Sequence, residues 1–335
     1  MSLALIFPGQ GAQAAGMGRG LFDPGAPAHE LAVEAADLAG MDVVGLACDA
    51  PDEDLKATDV AQPLILLHSV ALLRLLPEGE RAAAVAVAGH SLGEYTALVA
   101  SGALDWREAL ALVRRRGRAM AVAADGEPQG MSAVLGLDEA AVLAAIGPHA
   151  AGAAPGAAGG DHGGMPRDPD QAQASAAPGV VVAANLNAPG QVVISGHLAA
   201  LAWAAERLKA AGAKRVMPLS VGGAFHSPLM ASAAADLGSA IDAAPLRAGR
   251  PQAFNLDGRI RSEPGEVRDA LRRQLTSAVR WIDCVRSLAA LGCDRFVEIG
   301  PGAALTAMGK RILPDSTWVS IGDAGAARTL AGAEA

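Results

Sequence analysis

The chain has 335 residues with 27 Lys+Arg against 35 Asp+Glu, a formal net charge of −8 that argues against a general nucleic-acid binder. Hydrophobic residues make up 51 % and charged ones 19 %, enough apolar material for a large core and unlike a disordered acidic chain. The length suits about two domains, or one large α/β body with a smaller inserted one, and the 3 % aromatic content makes the core mostly aliphatic.

In chain order, short β-rich runs alternate with long Ala/Leu-rich stretches, the pattern of a mostly parallel sheet covered by helices. The first strand, Leu3–Phe7, has no basic segment before it and meets Pro8 too early for a signal peptide, so a cytoplasmic protein is expected. Pro8-Gly9-Gln10-Gly11-Ala12-Gln13 follows it directly. Position 14 is Ala14, so the third glycine of a dinucleotide loop is missing and that reading is rejected. The backbone N–H of Gln10 is instead a candidate oxyanion donor at the sheet edge. The longest apolar run, Leu64–Leu76, is broken by His68 and Arg74 and falls short of the ~20 residues of a membrane span. It reads as the buried helix Pro63–Leu76, and no membrane association is expected.

The strongest motif is Gly89-His90-Ser91-Leu92-Gly93, a G-x-S-x-G between the apolar run Ala83–Ala88 and the helical Leu92–Ser101. Strand, sharp turn and helix is the context in which such a turn lifts a serine hydroxyl clear of the backbone. The Leu92 N–H at the helix start would point where an oxyanion develops. The alternative is a serine N-cap between two packing glycines.

The next helix, Trp106–Ala124, starts with Asp105 as N-cap and buries a stripe through Trp106, Ala109, Leu110, Val113 and Met120. At roughly 100° per residue Arg116 lies about 60° from Val113 and about 40° from Met120, on the apolar side, whereas Arg114, Arg115 and Arg118 point away. A buried arginine requires an anionic or comparable partner. Either it forms a structural salt bridge or snorkels outward, or the partner is a substrate carboxylate gripped by the planar guanidinium.

Beyond it, Met131–Leu137, the helical Asp138–Ile146 and the strands Val180–Ala184 and Val192–Ser195 suggest a small α+β unit. Within it, 147–179 is nearly all Gly, Ala, Pro, Asp and Gln and reads as a flexible surface loop that solvates His149 and His162. A helix Leu198–Ala211 and a strand Arg215–Val221 lead to His226, which precedes a helix marked by Ser227 and Pro228. Near that positive helix end its imidazole should stay neutral, as a base must; a half-buried histidine bonded to backbone is the competing reading. Asp257 and Glu298 both follow His226, so the usual Ser…Asp…His order of a triad hydrolase does not apply, and a Ser–His dyad oriented by a neutral group fits better. The three cysteines, Cys48, Cys284 and Cys293, form no C-x-x-C pair, so neither disulfide nor metal site is expected. Glu298–Gly302 reads as a packing turn, and residues 323–335 as a fraying tail.

Taken together, Pro8–Gln13, Gln62-Pro63, Gly89–Tyr95 (GHSLGEY), Arg116-Gly117, Asn185–Gly196 (NLNAPGQVVISG), Ala224–Ser227 (AFHS), Gln274-Leu275 and Glu298–Gly302 resemble malonyl-CoA:acyl carrier protein transacylases and the related acyltransferase domains of polyketide synthases. The resemblance implies an α/β-hydrolase-like catalytic domain over 1–126 and 198–322, with a ferredoxin-like subdomain inserted at 127–197. It implies Ser91 as nucleophile, His226 as base, Gln10 and Leu92 as oxyanion hole and Arg116 as binder of the malonyl carboxylate. Gln274 falls where a main-chain carbonyl orients the histidine. His90 and Phe225 sit at positions that accompany malonyl rather than methylmalonyl selection. The implied reaction is a ping-pong transfer from malonyl-CoA to an acyl carrier protein, by a monomer, with no metal or bound cofactor. Arg114, Arg115, Arg118, Lys214, Arg215, Arg272 and Arg273 are candidate basic positions for docking an acidic carrier. The alternative function is a serine esterase or thioesterase-type hydrolase on the same turn.

Overall fold

A computed structural model describes residues 2–147 and 177–332, and two sheets organise these described residues. In chain order the strands are β1 (Ser2–Phe7), β2 (Ala84–Gly89), β3 (Gln129–Leu135), β4 (Val181–Ala188), β5 (Gln191–His197), β6 (Arg215–Pro218), β7 (Gln252–Ala253), β8 (Ile260–Arg261), β9 (Cys293–Ile299) and β10 (Thr317–Ile321). Six of them form one sheet in the order β10-β9-β1-β2-β7-β8, parallel except for the terminal β7–β8 pair.

The sequence of β1 explains its central place. Leu3, Leu5 and Phe7 face one apolar cluster, with Leu64, Leu67 and Leu98, while Ala4 and Ile6 face another with Trp281, Val285 and Leu288. A strand that is apolar at successive positions buries both faces, which requires helices on both sides. The long helix Thr58–Leu75 supplies much of the first layer and is buried at most of its positions, so the apolar run reads correctly as a core helix. The helix Trp281–Ala290 covers the other face. Because β1, β2 and β9 run in parallel, their following loops, Pro8–Gln10, His90–Leu92 and Gly300–Gly302, emerge at one sheet edge. There a Cβ on Gly300 would lie 2.5 Å from Pro8 Cγ, so the Glu298–Gly302 turn packs against the first loop.

The smaller sheet is antiparallel, in the order β4-β5-β3-β6. Helices Glu139–Ile146 and Leu198–Ala210 bury Val142, Ile146, Ala200, Leu201, Ala204 and Leu208 against Val134, Val181 and Ile194. This β-α-β-β-α-β unit is a ferredoxin-like arrangement. It corrects the boundary at 197: the unit runs on through Leu198–Ala210 to Pro218, because that helix's apolar stripe and β6 both engage the small sheet. The expected strand Arg215–Val221 is correspondingly shorter and ends at Pro218. Within the tail expected to fray, a helix spans Ala324–Gly332 and buries Ala324 and Ala327. Most of the 147–179 segment, with His149 and His162, lies outside the described residues.

Candidate active site

The turn after β2 is built by exclusion of side chains. A Cβ on Gly89 would lie 1.9 Å from the Gly93 carbonyl, and one on Gly93 would lie 2.2 Å from the Phe7 carbonyl oxygen. Glycine is therefore the residue that lets strand, helix and first loop meet here. Between them Ser91 adopts φ 50°, and His226 adopts φ 59°; these are the non-glycine residues with positive φ among the described residues. Backbone conformations of this kind cost free energy and persist where the surroundings impose them. Asn255 is one such constraint: its Oδ1 accepts from the Ser91 N–H at 2.6 Å, and its Nδ2 donates to the Gly89 carbonyl at 2.8 Å.

Ser91 Oγ lies 2.7 Å from His226 Nε2. His226 is buried, and its Nδ1 lies 3.2 Å from both the Gln274 and the Ser277 main-chain carbonyls. Carbonyls only accept, so we assign the proton to Nδ1, which leaves the Nε2 lone pair facing the serine hydroxyl. Burial, reinforced by the Arg116 and His90 charges, pushes the imidazole down to about 3, so it is neutral near pH 7. The histidine is thus oriented by neutral carbonyls, as the absence of a suitably placed acid in the sequence led us to expect.

Arg116 is 1 % exposed, on the buried face of the helix Trp106–Ala124. Its Nη1 donates to Gln62 Oε1 at 2.7 Å, and its Nη2 donates to Ser91 Oγ at 3.0 Å and to Gln274 Oε1 at 3.1 Å. All three acceptors are neutral oxygens, and Nε has no partner among the described residues. Its stripe position therefore reflects neither snorkelling nor a direct salt bridge. Gly117 permits the packing, since a Cβ there would lie 2.8 Å from Asp59 Cα.

The remaining expected site residues are close by. His90 N–H donates to the Phe7 carbonyl at 3.0 Å, and a Cβ on Gly9 would lie 2.4 Å from the His90 carbonyl oxygen, so the Gln10 loop lies against the turn. The Ser91 N–H is occupied by Asn255, whereas the Leu92 and Gln10 N–H groups donate to no other described group. His90 Nε2 pairs with Asn187 Oδ1 of β4 at 2.9 Å, and its ring meets Trp281 edge-on. Phe225 is buried beside His226 and joins the main core rather than any polar contact. Of the basic candidates, Arg115, Arg272 and Arg273 are engaged with Asp236, Asp242 and Asp269.

Sequence reasoning missed the roles of Gln62, Glu94, Asn187, Asn255 and Ser277. Gln62 and Glu94 lie inside quoted motifs, and their polarity within otherwise buried helical stretches was an available signal. Glu94 is fully buried and its carboxyl is pushed up to about 7 by that burial.

Comparison with known proteins gives a consistent set of matches. The acyl transferase domain family matches residues 4–154 and 137–330. A malonyl CoA-acyl carrier protein transacylase of Salmonella typhimurium is 36 % identical over 317 residues, covering 94 % of each chain. The protein of that description from Bacillus subtilis is 35 % identical over 311 residues, covering 92 % of this chain and 90 % of its own. Among solved structures, an acyl carrier protein S-malonyltransferase from Vibrio cholerae superposes with a TM-score of 0.84 at 35 % identity, covering 98 % of this chain and 100 % of the other. A malonyl-transacylase solved in complex with its holo type II polyketide synthase acyl-carrier protein gives 0.85 at 33 % identity, with 98 % and 99 % covered.

Proposed function

This chain belongs to the acyl transferase family, and we propose that it moves a malonyl group from malonyl-CoA to the phosphopantetheine thiol of an acyl carrier protein through an ester on Ser91. It is an acyltransferase, and the transfer supplies fatty-acid or polyketide synthesis. One observation carries the assignment of roles: base and cation converge on one hydroxyl, with His226 Nε2 at 2.7 Å and Arg116 Nη2 at 3.0 Å from Ser91 Oγ.

In this reading His226 Nε2 takes the Ser91 proton as Oγ attacks the thioester carbon of malonyl-CoA. The oxyanion is held by the Leu92 and Gln10 N–H groups, and its collapse expels the CoA thiol, which carries away the proton from His226. The carrier's thiol then gives its proton to His226, attacks the ester carbonyl and leaves with the malonyl group, while the proton returns to Ser91 Oγ. The malonyl carboxylate is separated from the reacting carbonyl by a single methylene. It therefore arrives beside Ser91, where it takes over the Nη2 donor now given to the serine hydroxyl together with an uncommitted guanidinium N–H. Holding Arg116 with carboxamides rather than an acid leaves its charge for the substrate. The Gln274 carbonyl orients His226, and His90 and Phe225 are assigned to malonyl-over-methylmalonyl selection.

The scheme requires neither metal nor bound cofactor. The machinery comes from a single chain, which supports action as a monomer. Among the described residues no helix is long and apolar enough to cross a membrane, in keeping with a proposed cytoplasmic location. Incubation with malonyl-CoA and intact-mass analysis tests the function: a malonyl adduct on Ser91, discharged by holo carrier protein, is expected. No adduct, equal labelling by acetyl-CoA, or rapid turnover of simple esters without a carrier would reject it in favour of a hydrolase.

A further inference from the structure

The buried carboxyl of Glu94 takes part in none of the steps above. It sits in the first turn of the helix Gly93–Ser101, three residues after the nucleophile, and is 1 % exposed. Both oxygens are occupied: Oε1 accepts from the Asn255 N–H at 2.5 Å, and Oε2 accepts a short hydrogen bond from Gln274 Nε2. Gln274 Nε2 also donates to the Ser91 carbonyl at 2.9 Å, while its Oε1 faces Arg116 Nη2. The Gln274 carboxamide is therefore polarised across the site, with acceptors on its nitrogen side and a cation on its oxygen side.

Ionised, Glu94 only accepts, so the Gln274 amide faces it with its NH2; the Ser91 carbonyl calls for the same orientation, which turns the amide oxygen to Arg116. We infer that Glu94 is a positioning residue for malonyl selectivity, acting through the Gln274 carboxamide to hold Arg116 where the substrate carboxylate lands. This rests on the reading that Arg116 receives that carboxylate. The arrangement keeps an anion near a fully buried guanidinium without a direct ion pair that would occupy the fork. The groups facing Glu94 are consistent: Asn255, Gln274, Arg116 and Arg261 favour its charged form against the burial penalty, and Tyr95 and Cys284 also feel its charge.

Glu94→Gln tests the relay. Asn255 N–H is a fixed backbone donor, so the new side chain keeps its oxygen there and presents NH2 to Gln274. Either that NH2 then opposes the Gln274 NH2, or the Gln274 amide turns over, sets its oxygen against the Ser91 carbonyl and its NH2 against Arg116; both break the arrangement that holds the guanidinium. The readout is the ratio of malonyl to acetyl ester formation on Ser91, measured for Glu94→Gln, Gln274→Met, the double variant and Arg116→Ala. Glu94→Gln should lower the ratio about tenfold or more, and adding it to Gln274→Met should change the ratio less than about twofold, since coupled residues are non-additive. A Glu94→Gln variant that slows both acyl groups alike, or that loses the same factor with and without the Gln274 amide, would show a purely structural role and overturn the inference. If Arg116→Ala itself leaves the ratio unchanged, the carboxylate reading fails instead. A second measurement uses the unaltered protein: the Gln274 Nε2 side-chain resonances, assigned by their loss in Gln274→Met, should shift as Glu94 titrates near pH 7. Gln274 resonances that stay fixed while the Glu94 side-chain carboxyl signal itself titrates would likewise overturn it.

Discussion

Replacing Arg116 with alanine separates recognition of the malonyl carboxylate from the chemistry of the thioester. The structure gives the loss two parts. Deleting the guanidinium leaves Gln62 Oε1 and Gln274 Oε1 buried without their donor, a cost of about 1–3 kcal/mol each in stability that falls on every substrate alike. The second part is specific: a malonyl ester on Ser91 then buries its carboxylate without the cation that lies 3.0 Å from Ser91 Oγ. Removing one partner of such a desolvated pair costs about 2–5 kcal/mol, which at about 1.4 kcal/mol per decade is a roughly 30- to several-thousandfold loss. An acetyl group has no carboxylate and forfeits none of this. Rapid-quench mass spectrometry of ester formation with malonyl-CoA and acetyl-CoA, on variant protein shown to be folded by its thermal transition, reads both rates. Malonylation should fall by the larger factor while acetylation changes by less than about fivefold, the residue of the shared structural part. A proportional loss of both would refute the reasoning and make Arg116 a structural residue.

Other consequences are equally open to measurement. His226→Ala should slow ester formation by roughly 10²–10⁴, the usual contribution of a positioned general base, and a loss below about threefold would mean that another group takes the proton. Gly93→Ala should be destabilising even though alanine is the better helix former by about 1 kcal/mol, because its Cβ meets the Phe7 carbonyl oxygen at 2.2 Å; a variant melting at or above the parent temperature would show that the turn can open. His68 is fully buried, and burial holds it down to about 4 against 6.5 when unfolded. The unfolded chain therefore binds the proton first, so His68 leaves stability untouched above that range and lowers it as pH falls through 6.5 toward 4. Over the first one and a half pH units this amounts to roughly 2 kcal/mol, which His68→Leu should remove from the difference between urea unfolding at about pH 7.5 and about pH 5. An unchanged difference would place the acid sensitivity elsewhere, including at His226, which shifts in the same direction.

What could be read from the sequence was what depends on neighbours along the chain. The strand–turn–helix context located Ser91, helical periodicity turned Arg116 inward, and the Ser227-Pro228 start placed His226 at a helix entrance. The histidine's orientation by carbonyl oxygens was legible only as a missing acid, with the Gln274 position supplied by resemblance. Contacts made between distant segments were not legible. Asn255 clamps the Ser91 backbone across 164 positions and follows β7, which at two residues carries no periodicity. Gln274 reaches Glu94 across 180 positions, and neither segment alone shows that they meet. The misplaced boundary at 197 has a similar origin: the apolar stripe of Leu198–Ala210 predicts a packed helix but does not say which sheet it packs on.

In the proposed reaction the activated serine and the buried guanidinium act on the two ends of one malonyl group. A crystal structure of the His226→Ala protein carrying a malonyl ester on Ser91, loaded by long incubation with malonyl-CoA, tests it most directly. The expected result is a terminal carboxylate within hydrogen-bonding distance of Arg116 Nη2, with the ester carbonyl oxygen toward the Leu92 and Gln10 N–H groups. A carboxylate turned to solvent, or bound by another cation while Arg116 keeps its present partners, would contradict it.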